Sequence, residues 1–224
     1  MHAAFLLAAT VAAPATLPPR PPDATYAYAI QAGGVPLGNS TVVVDGSTAG
    51  TIVVKESASF SMPAAFTATT TMRYDAATLR ETAYSADFVL PAGTQHTDVT
   101  VKPAAMTVTV PGSAGVDIPA DPSAPLELVG DNLVASSVLV PAILHATGAK
   151  SFTLAVLSGA KPLVCKVVSD PMPSRPASVP ATDVELALEL ASIRIIYWYD
   201  PKTYVVHNVA IPAQQAEYHL TSTK

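Results

Sequence analysis

Two histidines and one glutamate are the polar residues best spaced to act together. His207 and His219 fall on successive predicted strands joined by a turn at Pro212, and Glu217 lies beside them. Imidazoles near a carboxylate can transfer protons or bind a metal ion. The three residues do not have the spacing of a metal-ligand motif, however, and two histidines alone make only a weak metal site. We therefore interpret these histidines as surface residues or as a pair within a hairpin, and we expect neither a metal ion nor a cofactor.

The sequence lacks three common catalytic or phosphate-binding motifs. There is no Gly-x-Ser-x-Gly elbow, no glycine loop that could cradle phosphate and no His-Glu-x-x-His. The single cysteine, Cys165, lies in an apolar strand pattern over 162–168 and is interpreted as a small core residue. The sequence thus predicts no catalytic residues, and an enzyme is the third of the functions considered.

The elements that position these residues are mostly strands. From Tyr26 onward, β-branched and aromatic residues alternate with a period of two, as in Tyr26, Tyr28 and Ile30. Gly33-Gly34 and Asp45-Gly46 read as hairpin turns, and comparable turn signals recur along the chain. Regular short strands of this kind are typical of a sandwich or barrel.

One segment, Asp131–His145, carries a helical pattern. Asp131 can cap its start, Pro141 is expected to kink or divide it, and Gly148 suits its end. Because the segment is apolar nearly all round, we expect it to be buried.

Three further patterns concern turns and aromatic residues. Tyr74-Asp75-x-x-Thr78 and Tyr199-Asp200-x-x-Thr203 share the chemistry of a type I turn. A slip in the alternation near Ala191-Ser192 predicts a β-bulge or a turn. In Tyr197-Trp198-Tyr199, Trp198 has the opposite parity to both tyrosines. Trp198 is then either a core residue or part of the wall of an apolar pocket.

The composition excludes several classes of partner. The chain has 224 residues, of which 50% are hydrophobic and only 13% charged, with a net charge of -5. A protein this acidic lacks the basic patch that nucleic acid requires. It also has no electrostatic reason to lie on an anionic membrane.

The first fifteen residues predict export. The short apolar run from Ala3 to Ala13 ends at the small residues Ala13-Pro14-Ala15 and matches a secretory signal, although only His2 precedes it. We expect cleavage after Ala15, a proline-rich spacer over 16–24 and a single β-rich domain over 25–224. The mature protein would be periplasmic or secreted, and not an integral membrane protein.

Two stretches resemble a group of exported bacterial domains of unknown function. They are Tyr26–Ser40 (YAYAIQAGGVPLGNS) and Ile195–Leu220, which carries a tryptophan strand, a turn and two closing strands. The layout of these domains is similar to that of the periplasmic LolA and LolB lipoprotein carriers. The resemblance implies a curved, half-open sheet that holds helices against its concave face and receives acyl chains.

These observations favour an all-β fold with minor α content. We expect a strongly curved antiparallel sheet or incomplete β-barrel of about ten strands, covered or plugged by Asp131–His145. The preferred function is non-catalytic binding of a lipid or another apolar or amphipathic ligand. The alternative is a structural or assembly protein that offers its sheet edges or proline-rich loop to a protein partner. The residues expected to line the binding cavity are Val134, Leu139, Ile143, Ile195 and Trp198.

Overall fold

A computed structural model describes residues 17–61, 65–103, 105–109, 114–119, 126–130, 135–156, 163–169 and 175–224. The predicted signal segment and the residues Asp131 and Val134 lie outside this part of the chain. Fifteen strands are found in it, in the chain order Ala24–Ala32 (β1), Val35–Asp45 (β2), Thr51–Phe60 (β3), Phe66–Asp75 (β4), Glu81–Leu90 (β5), Gly93–Lys102 (β6), Ala105–Thr109 (β7), Val116–Pro119 (β8), Glu127–Gly130 (β9), Ser151–Val156 (β10), Leu163–Val168 (β11), Val184–Leu190 (β12), Ile193–Tyr199 (β13), Val206–Ile211 (β14) and Ala216–Thr223 (β15).

All fifteen strands belong to one sheet. Its order is β8-β7-β6-β5-β4-β3-β2-β1-β15-β14-β13-β12-β11-β10-β9, so the first and last strands of the chain are neighbours in the middle. The edges are the four-residue strands β8 and β9. The predicted fold is confirmed, since the sheet is large, curved and open rather than a closed barrel.

Two features of the sheet differ from the expectation. The strands number fifteen in the described residues instead of about ten. Two of the additional strands, β8 and β9, are short and lie in segments that have no clear alternation. In addition, β9 and β10 pair in parallel, with Glu127 opposite Thr153. Parallel neighbours need a crossover connection, and the helices supply it here.

The helical segment forms two short helices, which we call the helical plug. Ala135–Val138 (α1) and Val140–Thr147 (α2) are separated at Leu139, and Pro141 lies in the first turn of α2. Gly148 ends α2 with a φ of 65°, and its N–H bonds to the carbonyl of Leu144. The predicted division and the predicted glycine cap are therefore confirmed. Among the residues that the structure covers, no helix is long and apolar enough to span a membrane.

The plug packs on one face of the sheet, which we call the concave face. Every second residue of the strands contributes to the core there, as Val54, Met72 and Tyr84 do, together with Val138 to Leu144 of the plug. The opposite, outer face is largely polar over β3 to β6, where alternate residues of these strands are exposed or half-buried.

Curvature brings the edge strand β9 against β5. The Glu81 carboxylate accepts a hydrogen bond of 2.8 Å from the backbone N–H of Val129. Beside it, Arg80 and Glu127 form an ion pair of 3.5 Å. Edge strands expose unpaired backbone groups, and a side chain here occupies one of them. The sheet therefore closes partway through side-chain contacts rather than through strand pairing.

Candidate functional site

The apolar residues of the concave face fall into two groups. Those in contact with the plug are almost fully buried; Leu139 and Ile143 of the plug are each 1% exposed. Others that face the same way keep part of their surface exposed. These half-buried side chains include Val101, Val108, Leu154, Val167, Leu186, Ile195, Tyr218 and Leu220. The concave face is thus only partly covered.

A compact part of this surface lies at the ends of β3, β4 and β5, and we call it the phenylalanine cluster. It consists of Ala58, Phe60, Phe66, Ala68 and Phe88. Phe60 and Phe66 are directly opposite and stack with ring centroids 4.4 Å apart. The two alanines are buried, whereas the three phenylalanines are only half-buried. The cluster therefore has a floor of small, buried side chains and a rim of partly buried aromatic rings.

Three buried polar residues lie beside this cluster, and we call them the polar band. Ser40, Glu56 and Thr70 are each 2% exposed. The Ser40 hydroxyl donates to the Glu56 carboxylate, and Thr70 is directly opposite Glu56 in the β3–β4 register. The hydroxyl oxygen of Thr70 has no hydrogen-bond partner in the described part of the chain.

The polar band separates two apolar regions of the concave face. On β3, Glu56 lies between them. Val54, two residues before Glu56, belongs to the core beneath the plug, and Ala58, two residues after it, belongs to the phenylalanine cluster. Burial raises the pKa of Tyr28 strongly, and the neighbouring Tyr26 and Glu56 raise it further. The Tyr28 hydroxyl donates to the carbonyl of Val206 at 2.8 Å.

The structure brings three of the five predicted binding residues together. Leu139 and Ile143 are in the core, and Ile195 packs half-buried against the same core. Trp198 lies on the other face in a separate apolar cluster, with Val179, Ala187, Ile196 and Ala210. Val134 is outside the described residues. A binding role for these residues stays a prediction.

A short segment over 175–183 covers Trp198, and we call it the strap. Arg175 holds it closed with hydrogen bonds to the carbonyls of Pro180, at 2.6 Å, and Asp183, at 2.8 Å. Asp183 also pairs with His207 at 2.7 Å. Trp198 is 1% exposed under the strap, yet its indole nitrogen has no partner in the residues described.

Of the two histidines and the glutamate singled out by sequence, His207 and Glu217 have separate partners. His207 bonds to Asp183, whereas Glu217 accepts a hydrogen bond of 2.6 Å from Gln31. Within the described ranges, no three histidine, cysteine, aspartate or glutamate side chains are grouped to hold a metal ion.

Sequence reasoning missed a polar cluster on the outer face. His96 bridges two carboxylates, with 2.7 Å from Nδ1 to Asp87 and 2.9 Å from Nε2 to Asp98. The hydrogen bond to Asp87, followed by that to Asp98, raises the pKa of His96. Beside it lies a groove of about 440 Å³ lined by Thr71, Arg73, Ala83, Tyr84, Ser85, Asp98, Val99 and Thr100.

Cys165 is a core residue, as the sequence predicted. It is 1% exposed in β11, opposite Phe152 and Leu190. Burial raises the pKa of its thiol to about 12. A thiol in this state is a poor nucleophile.

Comparison with known proteins identifies a fold but no family. No protein-family model and no curated protein matches the sequence. Among solved structures, the chain is similar to a beta-barrel-like protein of domain of unknown function DUF1849 from Brucella abortus. The TM-score is 0.55 at 11% identity, covering 92% of this chain and 98% of that one. The likeness is one of fold.

A second solved structure is a DUF1089 family protein from Pseudomonas aeruginosa. It aligns with a TM-score of 0.46 and 8% identity over 95% of this chain and 98% of that one. At this score the similarity does not bear on the fold. The resemblance to LolA and LolB carriers stays a prediction, since neither structure is described as a carrier.

Proposed function

We propose that this protein is an exported, non-catalytic binding domain for an amphipathic ligand that carries an acyl chain. The observation that carries the proposal is the phenylalanine cluster. Its three aromatic rings face the inside of a curved sheet and are only partly buried, so each keeps a minor part of its surface accessible. Burial of apolar surface contributes about 25 cal/mol per Å², so a chain laid against these rings would be held by a substantial hydrophobic contribution.

The ligand would bind beside the helical plug and not in its place. Leu139 and Ile143 are already buried, so the plug fills its own part of the concave face. The remaining half-buried residues, among them Ile195 and Leu220, continue from the core toward open surface. An acyl chain that covers them would extend the existing core.

Two sequence features agree with this proposal. Residues 1–15 match a secretory signal. Such a signal would deliver the protein to the periplasm, where a carrier of lipids or lipoproteins would work. The layout similar to LolA and LolB points to the same ligand class.

A matched pair of variants tests the site. Phe88 faces the cluster, whereas its neighbour Val89 is 49% exposed on the outer face. We expect the uncharged apolar dye N-phenyl-1-naphthylamine to bind the lipid-stripped protein saturably. Phe88→Glu should weaken this binding at least tenfold, and Val89→Glu should leave it unchanged. Circular dichroism and thermal melting check that both variants fold.

Two outcomes would contradict the proposal. In one, the wild-type protein gives no saturable dye signal, and organic extraction of protein from an exporting host yields no lipid. In the other, the two variants weaken dye binding equally, which would place the dye elsewhere.

Assembly through a sheet edge is the second candidate, and strand β8 favours it. This strand is an edge of the sheet, and its Val116 is 63% exposed. An exposed edge can accept a strand from another chain. If β8 is such a site, sedimentation should show association that Val116→Lys abolishes, with dye binding unaffected.

A further inference from the structure

We infer that the polar band selects the chemistry of the ligand's polar end. It would accept a hydrogen-bond donor, such as an alcohol or a primary amine, and reject a carboxylate. This inference rests on the proposed function, because it concerns the same concave surface. It adds a specificity that the apolar cluster alone would not provide.

Position is the first observation behind it. Glu56 and Thr70 are directly opposite each other, and so are the next concave-facing pair, Ala58 and Ala68. Alanine side chains leave the least material between the polar band and the half-buried phenylalanine rings. Ala58 and Ala68 are 4% and 1% exposed, so a ligand that reaches the polar band must enter between the phenylalanine rings and displace what lies over the alanines. One of its ends would then meet Glu56 and Thr70.

The unpartnered hydroxyl of Thr70 is the second observation. This oxygen is fully buried and bonds to nothing in the residues that the structure describes. A buried polar group without a partner costs about 1–3 kcal/mol. A polar group on the ligand would supply the missing partner.

The chemistry of these two side chains sets the preference. A carboxylate such as Glu56 is an acceptor, and a hydroxyl such as Thr70 both donates and accepts. An alcohol or an amine can donate to Glu56 while it bonds to Thr70. A ligand carboxylate offers acceptors only and would bring a second negative charge next to Glu56 in a poorly solvated setting.

Three probes of equal chain length test the inference: decan-1-ol, decylamine and decanoate, each displacing N-phenyl-1-naphthylamine from the lipid-stripped protein at pH 7. We expect the alcohol and the amine to displace the dye at concentrations at least tenfold lower than decanoate. Glu56→Gln removes the charge and keeps the shape. It should therefore reduce, at least threefold, the ratio between the decanoate and the decan-1-ol concentrations that displace the dye.

Thr70→Val and Thr69→Val form the matched control. Thr70 faces the polar band, whereas Thr69 is exposed on the outer face of the same strand. Thr70→Val should lower the affinity for decan-1-ol at least threefold relative to the affinity for the dye, and Thr69→Val should change neither affinity. Thermal melting of each variant confirms that it folds.

The outcomes separate the inference from the function on which it rests. Equal displacement by all three probes, or tightest displacement by decanoate, would overturn the inference and leave the binding function intact. If the dye binds but no probe displaces it, or if the dye does not bind, the proposed function itself fails.

Discussion

Leu79 and Tyr204 occupy the same position in two nearly identical turns. Both have a left-handed backbone, with φ values of 55° and 59°. The Leu79 N–H bonds to the carbonyl of Asp75 at 2.8 Å, and the Tyr204 N–H bonds to that of Asp200 at 2.7 Å. Both side chains are buried, and both pack into the core on the concave face of the sheet.

The likeness extends into the strands before each turn. The register shifts between Arg73 and Tyr74 in one hairpin, and between Trp198 and Tyr199 in the other. A left-handed non-glycine residue costs about 1 kcal/mol or more, and burial of the side chain offsets that cost. The β4–β5 and β13–β14 hairpins are therefore repeats of one local design.

The Asp75 carboxylate should stabilise its turn. It accepts hydrogen bonds from the N–H groups of Ala77 and Thr78 and from the Thr78 hydroxyl. Asp75→Ala should lower the free energy of unfolding by about 1 kcal/mol, measured by urea denaturation. Asp75→Asn keeps an acceptor and should cost less.

The pH dependence of this turn follows from the same bonds. The hydrogen bond from the Thr78 hydroxyl, above all, lowers the pKa of Asp75. A lowered folded-state pKa means that this stabilisation is present above about pH 4 and is lost as the pH falls through the folded value. The difference between wild type and Asp75→Asn should therefore shrink in acid; a constant difference from pH 7 to pH 3 would contradict this reading.

Glu81 should hold the edge strand β9 in place. Removing its carboxylate leaves the buried Val129 N–H without an acceptor, which costs about 1–3 kcal/mol. Glu81→Ala should therefore speed hydrogen exchange at the Val129 amide and lower the urea midpoint. Glu81→Gln, which retains an acceptor oxygen, is the control and should protect this amide better. Equal exchange in both variants would show that Glu81 does not anchor the strand.

His96 should titrate above its usual range. Its folded-state pKa is raised, so the stabilisation it provides is complete below about pH 6.5 and is lost as the pH rises through the folded value. The pKa of Asp98 is lowered, chiefly by the hydrogen bond from His96, so its contribution is lost in acid. NMR of the His96 Hε1 proton measures the first effect. Asp87→Asn should bring its pKa back down, and an unchanged titration would refute the bridge.

Asn208 should be replaceable by an apolar residue with a gain in stability. It is fully buried opposite Trp198, and both polar atoms of its amide lack a partner in the described residues. Asn208→Leu removes these groups with little change in shape and should raise the free energy of unfolding by about 1 kcal/mol. Asn39→Leu, on the exposed side of β2, is the control and should have little effect. A loss of stability would mean that bound water satisfies the amide.

The sequence predicted local structure well where one chemical rule decides it. The Asp75 and Asp200 turns followed from side-chain bonding to the backbone, and the slip at Ala191-Ser192 is a hairpin turn in which Ala191 has a φ of 54°. The division of the helix followed from Pro141 and its end from Gly148. None of these needed knowledge of distant residues.

The candidate site was harder to predict because it depends on which strands meet. Alternation along β13 had already placed Trp198 on the opposite face from Tyr197. By the same alternation, Trp198 and Ile195 lie on opposite faces. The phenylalanine cluster joins Phe60, Phe66 and Phe88, and only the register of three strands reveals that they share a surface. His96 was overlooked for a similar reason, since its partner Asp87 lies on the neighbouring strand.

The pairing of β1 with β15 has a consequence for how the chain folds. Thr25 and Lys224 exchange two backbone hydrogen bonds of 2.9 Å across this pair. On either side of it, all neighbouring strands of the described sheet are consecutive in sequence, so two halves built from local connections can form early. The junction between them has the greatest sequence separation in the sheet and the largest loop-closure entropy. Folding should therefore be slow and limited by this last step, and the half-sheet from β1 to β8 must wait with an open edge at β1 until β15 has been synthesised.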